Sequence, residues 1–140
     1  MAMQPPGPPF LQHLGGSIAD LDEGGEVTLD LRPEFCNSRQ VAHGGVVMTI
    51  LDVCMARAAR ARRRADGHSD PRVGTHEMKA TFLKPGTGGS LTAHGTCLQH
   101  SASMAFCEGE VRDERGRVVA RASGTFKFIL PRASAAPAAG

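Results

Sequence analysis

The 140-residue chain contains no tryptophan and no tyrosine, and with six phenylalanines its aromatic fraction is 4%. Platforms on which unpaired nucleic-acid bases stack are therefore largely missing, which argues against a single-strand-binding protein. Charge of one sign is also scarce. Sixteen Lys and Arg against 14 Asp and Glu leave a net charge of +2, too weak a balance to claim DNA or an acidic membrane as a partner. No apolar run approaches the roughly 20 residues that a bilayer span needs. The opening MAMQPPGPPF has no basic segment followed by an apolar stretch, so secretion is not expected and the cytoplasm is the default. Cys36, Cys54, Cys97 and Cys107 lack C-x-x-C spacing and read as small, reduced, mostly buried side chains. In His94-x-x-Cys97-x-x-His100 strand alternation puts the cysteine on the face opposite both histidines, so no metal site is expected.

What is present fits a single globular domain: 41% hydrophobic and 21% charged residues in a length typical of one core. Residues 1–9 read as a disordered proline-rich tail, 10–130 as the domain, and 131–140, rich in Ala and Pro, as a flexible tail. One long helix is expected from Gly44 to Arg64, proline-free and rich in Ala, Met, Leu and Arg, with its first half buried and Gly67 as its stop. Arg57, Arg60, Arg62, Arg63 and Arg64 make its end basic. They form either a solvated end that complements the helix dipole or a site for phosphates.

Around the helix stand period-2 strands. Val27, Leu29 and Leu31 share a face, as do His76, Met78, Ala80 and Phe82, then Leu91, Ala93 and Cys97, then Ala122, Phe126 and Phe128. Turn chemistry at 22–25, 85–89, 101–103 and 113–116 joins them. Short connections favour an antiparallel sheet, and a helix apolar on every side favours a sheet curled around it, which makes the class α+β.

The stretch NSRQVAHGGVVMTILD, residues 37–52, carries the chemistry. Gly44 and Gly45 open the helix where amide N–H groups lack intrahelical partners. That suits either an oxyanion site or close packing of the helix start. Asp52 falls among Met48, Thr49, Met55 and Ala56, an apolar setting where a carboxylate is costly unless paired or kept for chemistry. At ~1.5 Å per residue, Gly44 and Asp52 stand about 12 Å apart along the axis, whereas one reacting carbonyl must lie within about 3 Å of both an oxyanion donor and the attacking group or its water. If both act in one site, a second copy of the helix supplies one of them, and the protein is a homodimer with its sites at the interface. Taken singly, Asn37 suits a turn, His43 a helix cap or core histidine, and Thr75 any strand.

Asn37, His43-Gly44-Gly45 and Asp52, with THEMKATFLKPG downstream, together resemble the hot-dog-fold acyl-CoA thioesterases of the phenylacetate-degradation (PaaI-like) type over roughly residues 15–130. The resemblance implies an antiparallel sheet wrapped around one central helix, in dimers that pair into tetramers. It implies that Gly44 N–H polarises the thioester carbonyl and that Asp52 of a partner activates water or attacks directly. Asn37 would orient the water or carbonyl, His43 would shape the site near the sulfur, and Thr75 stands where relatives carry a catalytic hydroxyl. Gly45, Arg60 and Arg63 become candidate substrate contacts, with coenzyme A entering as part of the substrate and no separate cofactor or metal. One departure is Gln40, where the family pattern often has glycine. Two other functions remain open: acyl-thioester hydration or dehydration on the same fold, and acyl-CoA binding without catalysis.

Overall fold

The computed structural model of the chain describes residues 7–22, 24–69 and 71–129. Of the expected tails, 1–9 and 131–140, residues 1–6 and 131–140 lie outside this range, whereas Pro8 and Pro9 are ordered as the cap and first residue of a helix. A short helix α1 (Pro9–Leu14) leads into β1 (Ser17–Leu21) and β2 (Gly24–Asp30). A 3-10 turn (Pro33–Phe35) precedes the long helix α2 (Gly44–Ala65), and β3 (Arg72–Phe82), β4 (Ser90–His100), β5 (Met104–Asp113) and β6 (Val118–Ile129) follow. The six strands form one sheet in the order β1-β2-β4-β5-β6-β3, every neighbouring pair antiparallel. This is the hot-dog arrangement, with α2 as its filling.

Helix α2 starts at a cap and runs without a break. The His43 imidazole accepts the Gly45 N–H at 2.9 Å, satisfying one of the first-turn amides. At the other end Gly67 takes a left-handed φ of 95°, which glycine adopts at no steric cost. Ile50, Leu51, Cys54 and Met55 are fully buried against the sheet. Burial continues through Ala58, Ala59 and Ala61, further than the expected first half, because the alanines turn inward while Arg62 and Arg64 turn out. Arg57 is the exception within the basic cluster. It is buried, and its Nε lies 3.1 Å from Asp20 Oδ1 on β1, so it belongs to neither a solvated end nor a phosphate site. A buried cation left without such a partner would be costly.

What lets α2 sit so deep is a row of glycines crossing the sheet. Gly25 on β2 pairs with Gly95 on β4, which pairs with Gly109 on β5. A Cβ at Gly95 would come within 2.3 Å of the Cys54 carbonyl oxygen, and one at Gly25 within 2.4 Å of Arg57 Cβ. The helix backbone thus rests directly on the sheet backbone. Gly24 and Gly25, expected in a turn, belong to β2 for this reason, while Glu23 lies outside the described residues.

Two bulges also revise the expected faces. In β3 the pairing with β6 runs Thr75 to Phe126 and then Glu77 to Thr125, leaving His76 as the extra residue. Val73 and Thr75 therefore share the inner face with Met78, Ala80 and Phe82, and His76 does not. In β4 the same happens at Leu98, and His100, opposite the buried Ala105, lands on the face of Cys97. There it pairs with Asp66, Nε2 to Oδ2 at 3.3 Å. His94, opposite Glu110, stays on the outer face, so the three residues of the metal-like spacing still do not converge. Leu31 lies just past β2, its N–H held by Gly89 O at 2.9 Å. Asp113 closes the β5–β6 turn, accepting hydrogens from the Arg115 and Arg117 amides and from Arg117 Nε at 2.9, 3.0 and 2.8 Å.

The glycine row gives a graded expectation. Gly95→Ala, whose methyl meets helix backbone, should destabilise by about 3 kcal/mol or more, whereas Gly109→Ala, which meets side-chain atoms at 3.1–3.3 Å, should cost about 1 kcal/mol. Urea unfolding of both variants checks this, and equal small losses would show that the helix is not pinned there.

Candidate active site

Upstream of α2 the chain makes a tight turn that Asn37 organises. Its Oδ1 accepts hydrogens from the Arg39 and Val41 amides at 2.9 and 3.4 Å, and its own N–H reaches Val41 O at 2.8 Å. With the side-chain oxygen occupied, the Nδ2 amide is the end left to donate elsewhere. Gln40, within this turn, has a φ of 61°, the left-handed region that favours glycine. The departure seen at Gln40 therefore leaves the turn intact and places a side chain in a costly backbone conformation.

At the helix start the two glycines differ. Gly45 N–H is taken by His43 Nδ1, so Gly45 offers no spare amide. The same bond fixes His43 with Nδ1 unprotonated and Nε2 bearing the hydrogen. Gly44 N–H, among the described residues, donates no hydrogen bond. Gly44 lines a cleft of about 320 Å³ together with Asn37, Arg39, Val47, Phe82 and Lys84. A methyl group added to Gly44 would sit 3.6 Å from the Phe82 ring, so the glycine leaves that side of the cleft open. The helix dipole adds a partial positive charge at this point.

Asp52 lies elsewhere. It is half-buried, not enclosed by apolar neighbours as its sequence setting suggests, and its Oδ1 accepts the Thr75 hydroxyl hydrogen at 2.6 Å. Thr75 reaches it only because the bulge at His76 turns Thr75 inward. Neither residue lines the cleft of Gly44 and Asn37. The structure thus brings the site candidates together in two groups, Asn37 with Gly44 and Asp52 with Thr75, separated along an unbroken helix by about 12 Å.

Arg60 and Arg63 lie a further two to three turns along α2, both half-buried, and the Arg63 guanidinium stacks 4.7 Å from the centre of the Phe128 ring. The cations that line the cleft are Arg39 and Lys84, which the sequence patterns did not single out. Lys84 follows β3 immediately before Pro85, and a cation at a turn after an apolar strand end was the available signal. A larger hollow of about 420 Å³ lies on the sheet face away from α2, among Lys79, His94, Glu108, Glu110 and Arg121. Its charges neutralise one another, Arg121 to Glu110 at 3.5 Å, and it contains none of the motif residues.

Comparison with known proteins places these features. The thioesterase superfamily model matches residues 39–120, from the Asn37 turn to the start of β6. A Saccharolobus solfataricus protein carrying an esterase name is 27% identical over 127 residues, spanning 90% of this chain and 87% of its own. The PaaI protein of the E. coli phenylacetic acid degradation operon superposes with a TM-score of 0.77 at 23% identity, covering 86% of this chain and 84% of that one. A Bacillus halodurans protein solved with CoA gives 0.75 at 25% identity, covering 88% and 80%.

The Gln40 turn supplies its own test. Gln40→Gly should keep or slightly raise stability, because relief of roughly 1 kcal/mol of backbone strain offsets glycine's greater chain entropy. Gln40→Val should lower stability by about 1–2 kcal/mol, since β-branching tolerates positive φ worst. Thermal melts of the two variants decide it, and a Val variant as stable as the parent would contradict the strained turn.

Proposed function

The chain belongs to the thioesterase superfamily, and from that premise we propose that it hydrolyses the thioester of an acyl-CoA at a site completed by a second copy of itself. The observation that carries this proposal is the free Gly44 amide in a cleft together with an oriented carboxylate that the same helix holds out of its reach.

The edge strand β3 supports a way to unite them. It is 11 residues long and among the described residues pairs with β6 alone, so its other side offers backbone groups to another chain. With a two-fold axis at Lys79, Met78 of one copy pairs with Ala80 of the other. The extra residue at His76 then sets Thr75 opposite Phe82 of the second copy, both facing the helices. Thr75 holds Asp52 and Phe82 flanks Gly44, so this register joins the acid of one copy to the amide of the other.

In the proposed site the thioester carbonyl oxygen accepts from Gly44 N–H and from Asn37 Nδ2, which stabilise the charge that develops as the carbon becomes tetrahedral. Thr75 occupies Oδ1 of the second copy's Asp52, leaving Oδ2 to take a proton from water or to attack directly. Collapse expels the CoA thiolate, a far better leaving group than an alkoxide because a thiol ionises near pH 8.5. Arg39 and Lys84 meet the anionic part of CoA at the cleft, and Val41, Ala42, Val47 and Phe82 give the cleft apolar walls for the acyl group or the pantetheine arm. The relative solved with CoA supports this class of ligand. Hydration or dehydration is less well served, since His43, the proton carrier it would need, already commits Nδ1 to Gly45.

Free-thiol release across a panel of acyl-CoAs tests the activity, and Asp52→Asn tests the mechanism. The variant should remain folded while kcat falls at least about 100-fold, and Thr75→Ser should retain most of the activity that Thr75→Val loses. Full turnover in a folded Asp52→Asn protein would remove this mechanism.

A further inference from the structure

Far from the cleft, two thiols face each other across the sheet. Cys97 on β4 and Cys107 on β5 are directly opposite partners, and both point to the face that meets α2. Directly opposite residues of antiparallel strands have Cα atoms about 4.5–5.5 Å apart, within the roughly 4.4–6.8 Å that disulfides span, so the strand pairing holds the two sulfurs within bonding range of each other. Both are free thiols, Cys107 fully buried and Cys97 half-buried.

The surroundings make the two sulfurs unequal. As a thiol Cys97 donates to Gln99 O at 3.6 Å. As a thiolate its sulfur would be favoured first by a hydrogen bond from the Cys107 thiol opposite, then by the Gln99 backbone and by the positive charge of Arg62, from the last turn of α2, which outweighs nearby Asp66. Together they overcome the burial of Cys97 and bring it down to about 7, so a large fraction is thiolate at neutral pH. The same hydrogen bond, together with burial and the neighbouring Cys54, pushes Cys107 up. The accessible sulfur is therefore the nucleophile, and the buried one is held protonated beside it.

We propose that Cys97 and Cys107 form a redox-active dithiol that a hydroperoxide converts into a cross-strand disulfide. The Cys97 thiolate attacks the peroxide, its sulfur bonds to one oxygen as the O–O bond breaks, and the other oxygen leaves as alkoxide or hydroxide and takes up a proton. The resulting sulfenic acid loses its oxygen as water when the Cys107 sulfur attacks, its proton leaving with that water. Two thiols and one hydroperoxide thus give one disulfide, one water and one alcohol or second water. A dithiol reductant reverses the step by exchange. The bond would tie β4 to β5 two residues from Gly95 and Gly109, the seat of α2.

The experiment uses the full chain, reduced, then treated with hydrogen peroxide, alkylated and mapped by mass spectrometry. The expected result is loss of two of the four alkylatable thiols, an intramolecular Cys97–Cys107 peptide two hydrogens lighter than its reduced form, and full recovery with dithiothreitol. In Cys107→Ser a sulfenic acid at Cys97 should persist and be trapped by dimedone. Oxidation confined to Cys36, or Cys97 and Cys107 linked only between chains, would overturn the proposal. So would four alkylatable thiols surviving peroxide in the folded wild-type chain, and because that outcome is read on the wild type it does not depend on whether the variant folds.

Discussion

The backbone of one helix lying on the backbone of one sheet is the contact on which this structure depends. Gly25, Gly95 and Gly109 withhold side chains along a line across β2, β4 and β5, and Cys54 and Met55 settle into the space. Because the seat is made of glycines, α2 can neither rise nor slide without losing contact along its buried face, where Leu51, Cys54 and Met55 pack with no exposed surface. That immobility sets where everything else on the helix falls. Gly44 is held at its tip, Asp52 midway along a flank, and the distance between them cannot be shortened by bending a helix with no proline and no break.

The proposed chemistry follows from that fixed spacing. A site that needs an amide donor and a carboxylate within about 3 Å of the same carbonyl or its attacking water cannot be assembled by one such helix, and the outer edge of β3 offers the route by which a second copy would bring the missing half. The bulge at His76 matters twice here. It turns Thr75 toward Asp52 within the chain, and it brings Thr75 and Phe82 onto one face so that a symmetric strand pair can align them. An uninterrupted strand of alternating residues would place those two side chains on opposite faces.

Much of this was legible in the sequence. Composition and the proline-free run gave α2 to within a residue of its end, and the alternation of Leu91 with Ala93 and of Phe126 with Phe128 named the buried faces of β4 and β6. The spacing of Gly44 and Asp52 carried over unchanged, since helix geometry is nearly invariant. What failed to show was whatever depends on a partner distant in the chain. Strands β1 and β5 lack a sustained apolar alternation, Asp20 on the inner face of the one and Met104 and Phe106 on the outer face of the other masking the pattern, and only pairing with β2, β4 and β6 defines them. Arg57 looked like one more solvated arginine because its counter-charge, Asp20, lies 37 positions earlier. Both bulges were invisible to a strict period of two, and so were their consequences for His76 and His100. At the motif, Asn37 and His43 proved to hold the turn and the cap with one end of each side chain, which leaves the other end for the proposed chemistry.

The central proposal is that each site takes its amide donors from one copy and its carboxylate from the other, and mixed dimers test it directly. Asn37→Asp keeps the oxygen that organises the turn and removes the Nδ2 donor, while Asp52→Asn removes the acid from the opposite side of the shared site. When the two inactive chains are unfolded together, refolded and purified as a heterodimer, one of its two sites regains both wild-type residues and the other has neither. Recovery of about half the wild-type activity is the predicted result, and a heterodimer of confirmed composition that stays as inactive as its parents would contradict the account.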